Sequence, residues 1–234
     1  MNSHISSRFD ADLRDVSTRV LEMGGLAEAQ VVQAIYALTN FSGETAEQVL
    51  MIEERINQME VEIDAELQRI IAMRQPTAVD LRLLIAVSKA IANLERVGDE
   101  AARIARTVVR LLQAGVSSRL RVPVGDLSFA ANLATSQLRK SLDAFARLDT
   151  QQALEVLKQD DQLDQEFDGL LRKLITYMME DPRTISASID LVFVAKAIER
   201  VGDHAKNLAE AIIYVVKGED VRHTPVDQVE NVVR

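Results

Sequence analysis

Cysteine is missing from the 234 residues, which excludes a disulfide framework and a thiolate metal site and points to a reducing compartment. Tryptophan is missing too, and with three Tyr and six Phe the chain has few rings on which single-stranded nucleic acid could stack. Only nine Gly and four Pro occur. Sandwiches and barrels need turn residues at short spacing, so an all-α fold is favoured. The sequence has no stretch of about 18 apolar residues suited to a membrane-spanning helix. Its first ten residues lack the basic segment and apolar run of an export signal, so a cytoplasmic location is expected. Acidic residues outnumber basic ones, 36 to 27, for a net charge of -9. Such a surface repels nucleic acid and anionic lipid heads. Nucleic acid is therefore not expected as a partner, and membrane association is expected only through other proteins.

What the chain does contain is apolar periodicity. Residues recurring at helical spacing fill six stretches, roughly 8–40, 44–74, 78–115, 124–148, 151–180 and 184–217. Breaker and turn residues interrupt the period at Ser42-Gly43, Gln75-Pro76-Thr77, Gly115 to Pro123, Asp149-Thr150, Asp181-Pro182 and Gly218. Short connections between long helices make neighbours antiparallel. The expected architecture is two tandem three-helix bundles, residues 1–117 and 118–218, with a polar C-terminal tail at 219–234. In the third stretch Leu84, Val87, Ile91, Leu94, Gly98, Ala101, Ala105, Val108 and Leu112 share one face. A Gly inside a helix costs about 1 kcal/mol relative to Ala, so Gly98 implies close approach of a neighbouring helix or a ligand.

The two bundles are repeats. Glu95-Arg96-Val97-Gly98-Asp99 returns 104 residues later as Glu199-Arg200-Val201-Gly202-Asp203. Ala101 and Ala105 return as Ala205 and Ala209 at the same displacement. On the second helix of each half, Glu53-x-x-Ile56-Asn57 answers to Asp160-x-x-Leu163-Asp164, displaced by 107. Helix order and motif order agree, as duplication of one supersecondary unit requires.

Carboxylates four apart on a helix are neighbours and repel. Glu95 with Asp99, and Glu199 with Asp203, put such pairs beside the core stripe. A cation held by hard oxygen ligands relieves that repulsion, and Glu53, Asn57, Asp160 and Asp164 can add oxygens from a facing helix. The plainer reading is a solvated flank paired with Arg96, Arg103 or Arg200. Catalytic machinery is not visible: no Glu-x-x-His pair, hydrolytic triad, P-loop or Gly-rich dinucleotide turn occurs.

These segments resemble the PhoU family. The resemblance rests on Met23-Gly24-Gly25, Arg74-Gln75-Pro76-Thr77-Ala78 with Asp80-Leu81-Arg82, and Asp143-Ala144-Phe145-Ala146-Arg147. Tyr177-Met178-Met179-Glu180-Asp181, Glu199 to Asp203, and Tyr214-Val215-Val216-Lys217-Gly218 complete it. The resemblance implies a negative regulator of the phosphate-starvation (Pho) regulon, not an enzyme. Such a regulator acts in phosphate homeostasis and signal transduction, coupling the Pst phosphate ABC transporter, through its ATPase subunit PstB, to the sensor histidine kinase PhoR. It also implies a homodimer and metal sites for Fe, Zn, Mg or Mn at Glu95, Asp99, Glu199 and Asp203. Two other readings compete: a metal-dependent phosphohydrolase and a metal-independent helical scaffold. In the second half the motif runs on to Asn207, whereas the first half has Arg103 there. A guanidinium competes with a cation, so the second site is expected to bind metal better.

Overall fold

The computed structural model describes residues 7–115 and 124–234. Six long helices make up most of it: α1 (Ser7–Asn40), α2 (Gly43–Arg74), α3 (Ala78–Gln113), α4 (Val124–Arg147), α5 (Thr150–Glu180) and α6 (Ile185–Lys217). No strand occurs among the described residues. Helices α1, α2 and α3 pack on one another, as do α4, α5 and α6, and the two groups join along α3–α6 and α1–α4. This is the expected all-α arrangement of three-helix units. The expected junction between residues 117 and 118 lies outside the described residues.

The helix ends follow local chemistry, and they repeat. After α1, Phe41 adopts a left-handed φ of 49°, Ser42 N–H closes the turn on Ala37 O at 2.9 Å, and the Ser42 hydroxyl caps α2 by accepting from Thr45 N–H. After α4, Leu148 takes φ 52°, Asp149 N–H returns to Ala144 O at 2.9 Å, and the Asp149 carboxylate caps α5 through Gln151 and Gln152. Each cap supplies an acceptor to otherwise unpaired first-turn amides.

Helices α3 and α6 run antiparallel down the centre. Arg110 meets Asp190 at 3.4 Å, Arg200 Nη1 donates to Glu100 Oε1 at 3.1 Å, and the Lys89 ammonium lies 5.2 Å from the Tyr214 ring centre. The predicted stripe of α3 is buried from Leu84 through Val108; Leu112, at the end, is half-buried. Gly98 and Gly202 serve helix packing within their own halves. A Cβ on Gly98 would lie 3.1 Å from Gln30 Oε1 and 3.4 Å from Ile56, and one on Gly202 would lie 2.9 Å from Gln137 Oε1 and run into Leu163. The two glutamines, themselves buried, donate in turn to Val49 O (3.0 Å) and Gln159 O (2.9 Å) on the neighbouring helix.

The C-terminal segment differs from the polar tail expected at 219–234. It contains an eight-residue helix, α7 (Val226–Val233), that packs on α5. Val221, Val229 and Val233 are buried, and Lys158 pairs with Glu230 at 3.0 Å. Valines at 226, 229 and 233 share one face of a helix, and that spacing is enough to fasten an otherwise polar segment to the bundle.

The glycine contacts yield a stability prediction. Ala at position 202 gains roughly 1 kcal/mol of helix propensity but overpacks the α5 contact, which costs about 1–3 kcal/mol. Urea denaturation is expected to find Gly202→Ala less stable than the parent and less stable than Gly98→Ala, where the neighbours are farther away.

Candidate metal centre

In the first half, burial of the apolar face of α3 leaves Glu95 and Asp99 half-buried on its flank. Burial raises the Glu95 carboxyl, and Asp99, Glu60 and Glu53 raise it further against the opposing pull of Arg96. Burial also raises Glu60, with Asp64 and Asp99 adding to it. Glu60 is absent from the acids picked out by the repeat, because the position 107 residues on is Phe167. Its spacing of seven from Glu53 places both on one face of α2, a signal that reading the first half alone would have caught. Glu53 is engaged: both its oxygens accept from Arg106 Nη2, at 2.7 and 2.8 Å. Asn57 stands exposed.

In the second half, Asp160 is buried on α5 and Asp164 is exposed. Burial, then the Asp160 and Glu199 charges, raise the Asp164 carboxyl. Across from them on α6, burial first and then Glu199 and Asp160 push Asp203 up to about 6. Two ammonium groups enter this cluster. Lys206 donates to Asp160, and Lys196 donates to Glu199 Oε1 at 2.5 Å, leaving buried Glu199 Oε2 without a hydrogen-bond partner.

Asn207 faces the other half of the molecule. Its amide donates to Asn93 Oδ1 on α3 at 3.0 Å. Asn93 Nδ2 donates to Lys89 O at 2.8 Å, which fixes the amide so that Oδ1 is an acceptor. His204 Nδ1, also 3.0 Å from Oδ1, must then be the donor, and Nε2 carries the lone pair. Burial, aided by Arg96 and Arg200, lowers the imidazole to about 4, so His204 is neutral near pH 7. Arg103 lies 3.1 Å from the buried carboxylate of Glu100, which Arg200 also engages. It is therefore drawn away from the role of cation competitor expected for it. Asp99, Asp203, Arg96, Arg200, His204 and Asn207 all line a cleft of ≈ 870 Å³ between α3 and α6.

A family model described as the PhoU domain matches residues 20–108 and 127–212, once in each half. The chain belongs to the PhoU family. It is 45% identical to the phosphate-specific transport system accessory protein PhoU homolog of Pseudomonas aeruginosa, over 99% of this chain and 96% of that protein. It is 42% identical to the phosphate-specific transport system accessory protein PhoU of Escherichia coli K12, over 98% and 94%. The crystal structure of PhoU from Pseudomonas aeruginosa superposes with TM-score 0.84 at 45% identity, covering 90% of this chain and all of that one. The phosphate transport system regulatory protein PhoU from Streptococcus pneumoniae superposes at 0.83 with 27% identity, covering 91% and 99%.

The two halves differ in how well their donors suit a divalent or iron-group ion. As the side chains lie, no three His, Asp or Glu groups among the described residues converge on one point in a metal-holding arrangement. In kind, however, the first-half donors suit a hard cation. No hydrogen bond or ion pair among the described residues takes up the carboxylates of Glu60, Glu95 or Asp99, and their mutual repulsion favours a divalent ion. Side-chain rotation would have to bring them onto it. In the second half, Asp160 and Glu199 already hold ammonium groups, so the donor set does not fit a metal as it stands.

The raised Asp203 carboxyl has a definite pH signature. Its folded value of about 6 exceeds the ordinary 3.8, so between these the folded chain binds more protons than the unfolded one and stability rises as pH falls. His204, lowered to about 4, acts in the opposite direction. The two separate in a comparison: in metal-free protein the melting temperature of Asp203→Asn is expected to exceed the parent's at pH 8, with the gap narrowing toward pH 5.

Proposed function

We propose that this chain is a negative regulator of the phosphate-starvation (Pho) regulon that also modulates phosphate uptake. It couples the Pst transporter, through PstB, to the sensor kinase PhoR. The observation that carries this reading is similarity over both halves, at 42–45% identity along nearly the whole length, to named accessory proteins of phosphate-specific transport. With no helix among the described residues long and apolar enough to cross a membrane and a net charge of -9, the chain acts from the cytoplasm and reaches the membrane only through these partners. It works as a homodimer.

Regulation of this kind requires a partner state that the protein binds better than the alternative, since a ligand shifts an equilibrium only by its differential affinity. Clustered carboxylates and net negative charge make the chain a poor receptor for free phosphate, so phosphate status reaches it through partner conformation. Glu95 and Asp99, with Glu60 beside them, are the residues that would hold Mg²⁺, Mn²⁺, Fe or Zn. When bound, such an ion would supply charge compensation to these carboxylates of α2 and α3.

The test is genetic. Deleting the gene in its own host is expected to give alkaline phosphatase activity at high phosphate as well as in starvation. Repression at high phosphate equal to that of the parent strain would overturn the proposal. Complementation with Glu95→Ala/Asp99→Ala is expected to restore repression only partly, whereas a surface change such as Gln165→Ala restores it fully.

A further inference from the structure

The duplication sets each side chain of one half against its counterpart in the other, and the acidic clusters fail to match in a consistent way. Lys196 and Lys206 of α6 correspond, 104 residues earlier, to Ala92 and Ala102 of α3. Lys206 reaches across to the buried Asp160 of α5. Lys196 holds Glu199 on its own helix at 2.5 Å, with its ammonium 5.3 Å from the ring centre of Phe167, a cation–π distance. Phe167 occupies the position of Glu60 in the first half. At these places the second half has two cations more and one acid fewer; the first half's own extra cations, Arg103 and Arg106 where the second half has Asn207 and Glu210, are engaged by Glu100 and Glu53.

The first half has the reverse. Glu60 adds a carboxylate, Ala92 and the buried Ala102 bring no charge, and a cleft of ≈ 510 Å³ lined by Glu60, Asp64, Ser88 and Ala92 opens beside Glu60. Arg106 compensates Glu53 alone among the acids of this cluster.

We infer that Lys196 and Lys206 are built-in counter-cations that take the place of a metal in the second half, so that a divalent cation with hard oxygen ligands binds only at the first-half cluster. This rests on the metal-binding reading above and reverses the order of site strength that the Arg103–Asn207 difference suggests in sequence. The physical argument is direct. A covalently tethered ammonium within hydrogen-bonding distance neutralises its carboxylate without the entropy of capturing a free ion, and a divalent cation arriving there must displace it and bear its repulsion. Where alanine stands instead, no tethered ammonium competes.

The experiment is Mn²⁺ titration of the full-length, chelator-treated protein at pH 7.5, followed by electron paramagnetic resonance of the free ion, with thermal melts to confirm folding of each variant. Binding by the parent is expected to fall roughly tenfold or more in Glu95→Ala/Asp99→Ala and to stay within about twofold in Glu199→Ala/Asp203→Ala. Lys196→Met/Lys206→Met is expected to add a site that the parent lacks. Should that variant not fold, Ala92→Lys, which opens on the first-half cleft, is expected to weaken the parent site by roughly tenfold. Loss of parent binding in Glu199→Ala/Asp203→Ala, or unchanged affinity in Ala92→Lys, would overturn the inference while leaving metal binding intact. A parent that binds no Mn²⁺ beside a Lys196→Met/Lys206→Met variant that does would support the lysine role and sink the first-half site. Binding by neither would end both readings.

Discussion

The antiparallel packing of α3 against α6 governs what every other part of the molecule can do. Each of these helices also packs on two others of its own half, so most of its circumference is buried and only a narrow flank remains for polar groups. The acidic pairs sit on that flank. They cannot turn fully to solvent, because the facing helix shields them, and they cannot retreat inward, because the core is filled with Ala, Val, Leu and Ile. Half-buried like charges on a helix therefore have to be compensated by a cation brought within reach, from the same helix or another.

The protein meets that requirement in three ways. Arg106 of α3 takes both oxygens of Glu53 on α2; lysines on α6 serve Asp160 and Glu199; and the buried Glu100 at the junction of the halves is shared by Arg103 and Arg200. Glu60, Glu95 and Asp99 of the first half have no such partner among the described residues. Uniform burial of the backbone thus coexists with uneven charge compensation. A duplicated scaffold has evidently been free to diverge in the long side chains on its flanks while its small residues, Gly98 and Gly202 with Gln30 and Gln137 packed against them, keep the helices at one spacing.

The junction between the halves is polar where the bundle cores are not. Asn93, His204 and Asn207 share hydrogen bonds across it. Such bonds depend on orientation, so a small sliding of α3 along α6 would break several at once, and the interface favours one arrangement of the halves over a continuum. A regulator that reports one partner's state to another benefits from that kind of definition.

Six of the helices, their antiparallel order, the repeat and the four acids at 95, 99, 199 and 203 were legible in the sequence, because apolar period, breakers and i,i+4 spacing are local properties of the chain. Glu60 escaped because its counterpart is Phe167, and α7 because four valines among polar neighbours in so short a segment carry a weak pattern. Gln30 and Gln137 gave no sign at all: a buried amide looks like any surface glutamine until the helices around it are in place. The sequence by itself determined where helices form and which of their faces are apolar. Only the tertiary structure decided which cation reaches which carboxylate, that Arg103 turns to Glu100 and that Asn207 belongs to the junction. Lys, Arg and Asn are long or many-rotamer side chains: Arg106, Lys206 and Asn207 find partners on helices distant in sequence, and even where the partner is three residues away, as for Arg103 and Lys196, local spacing does not say which neighbour is chosen.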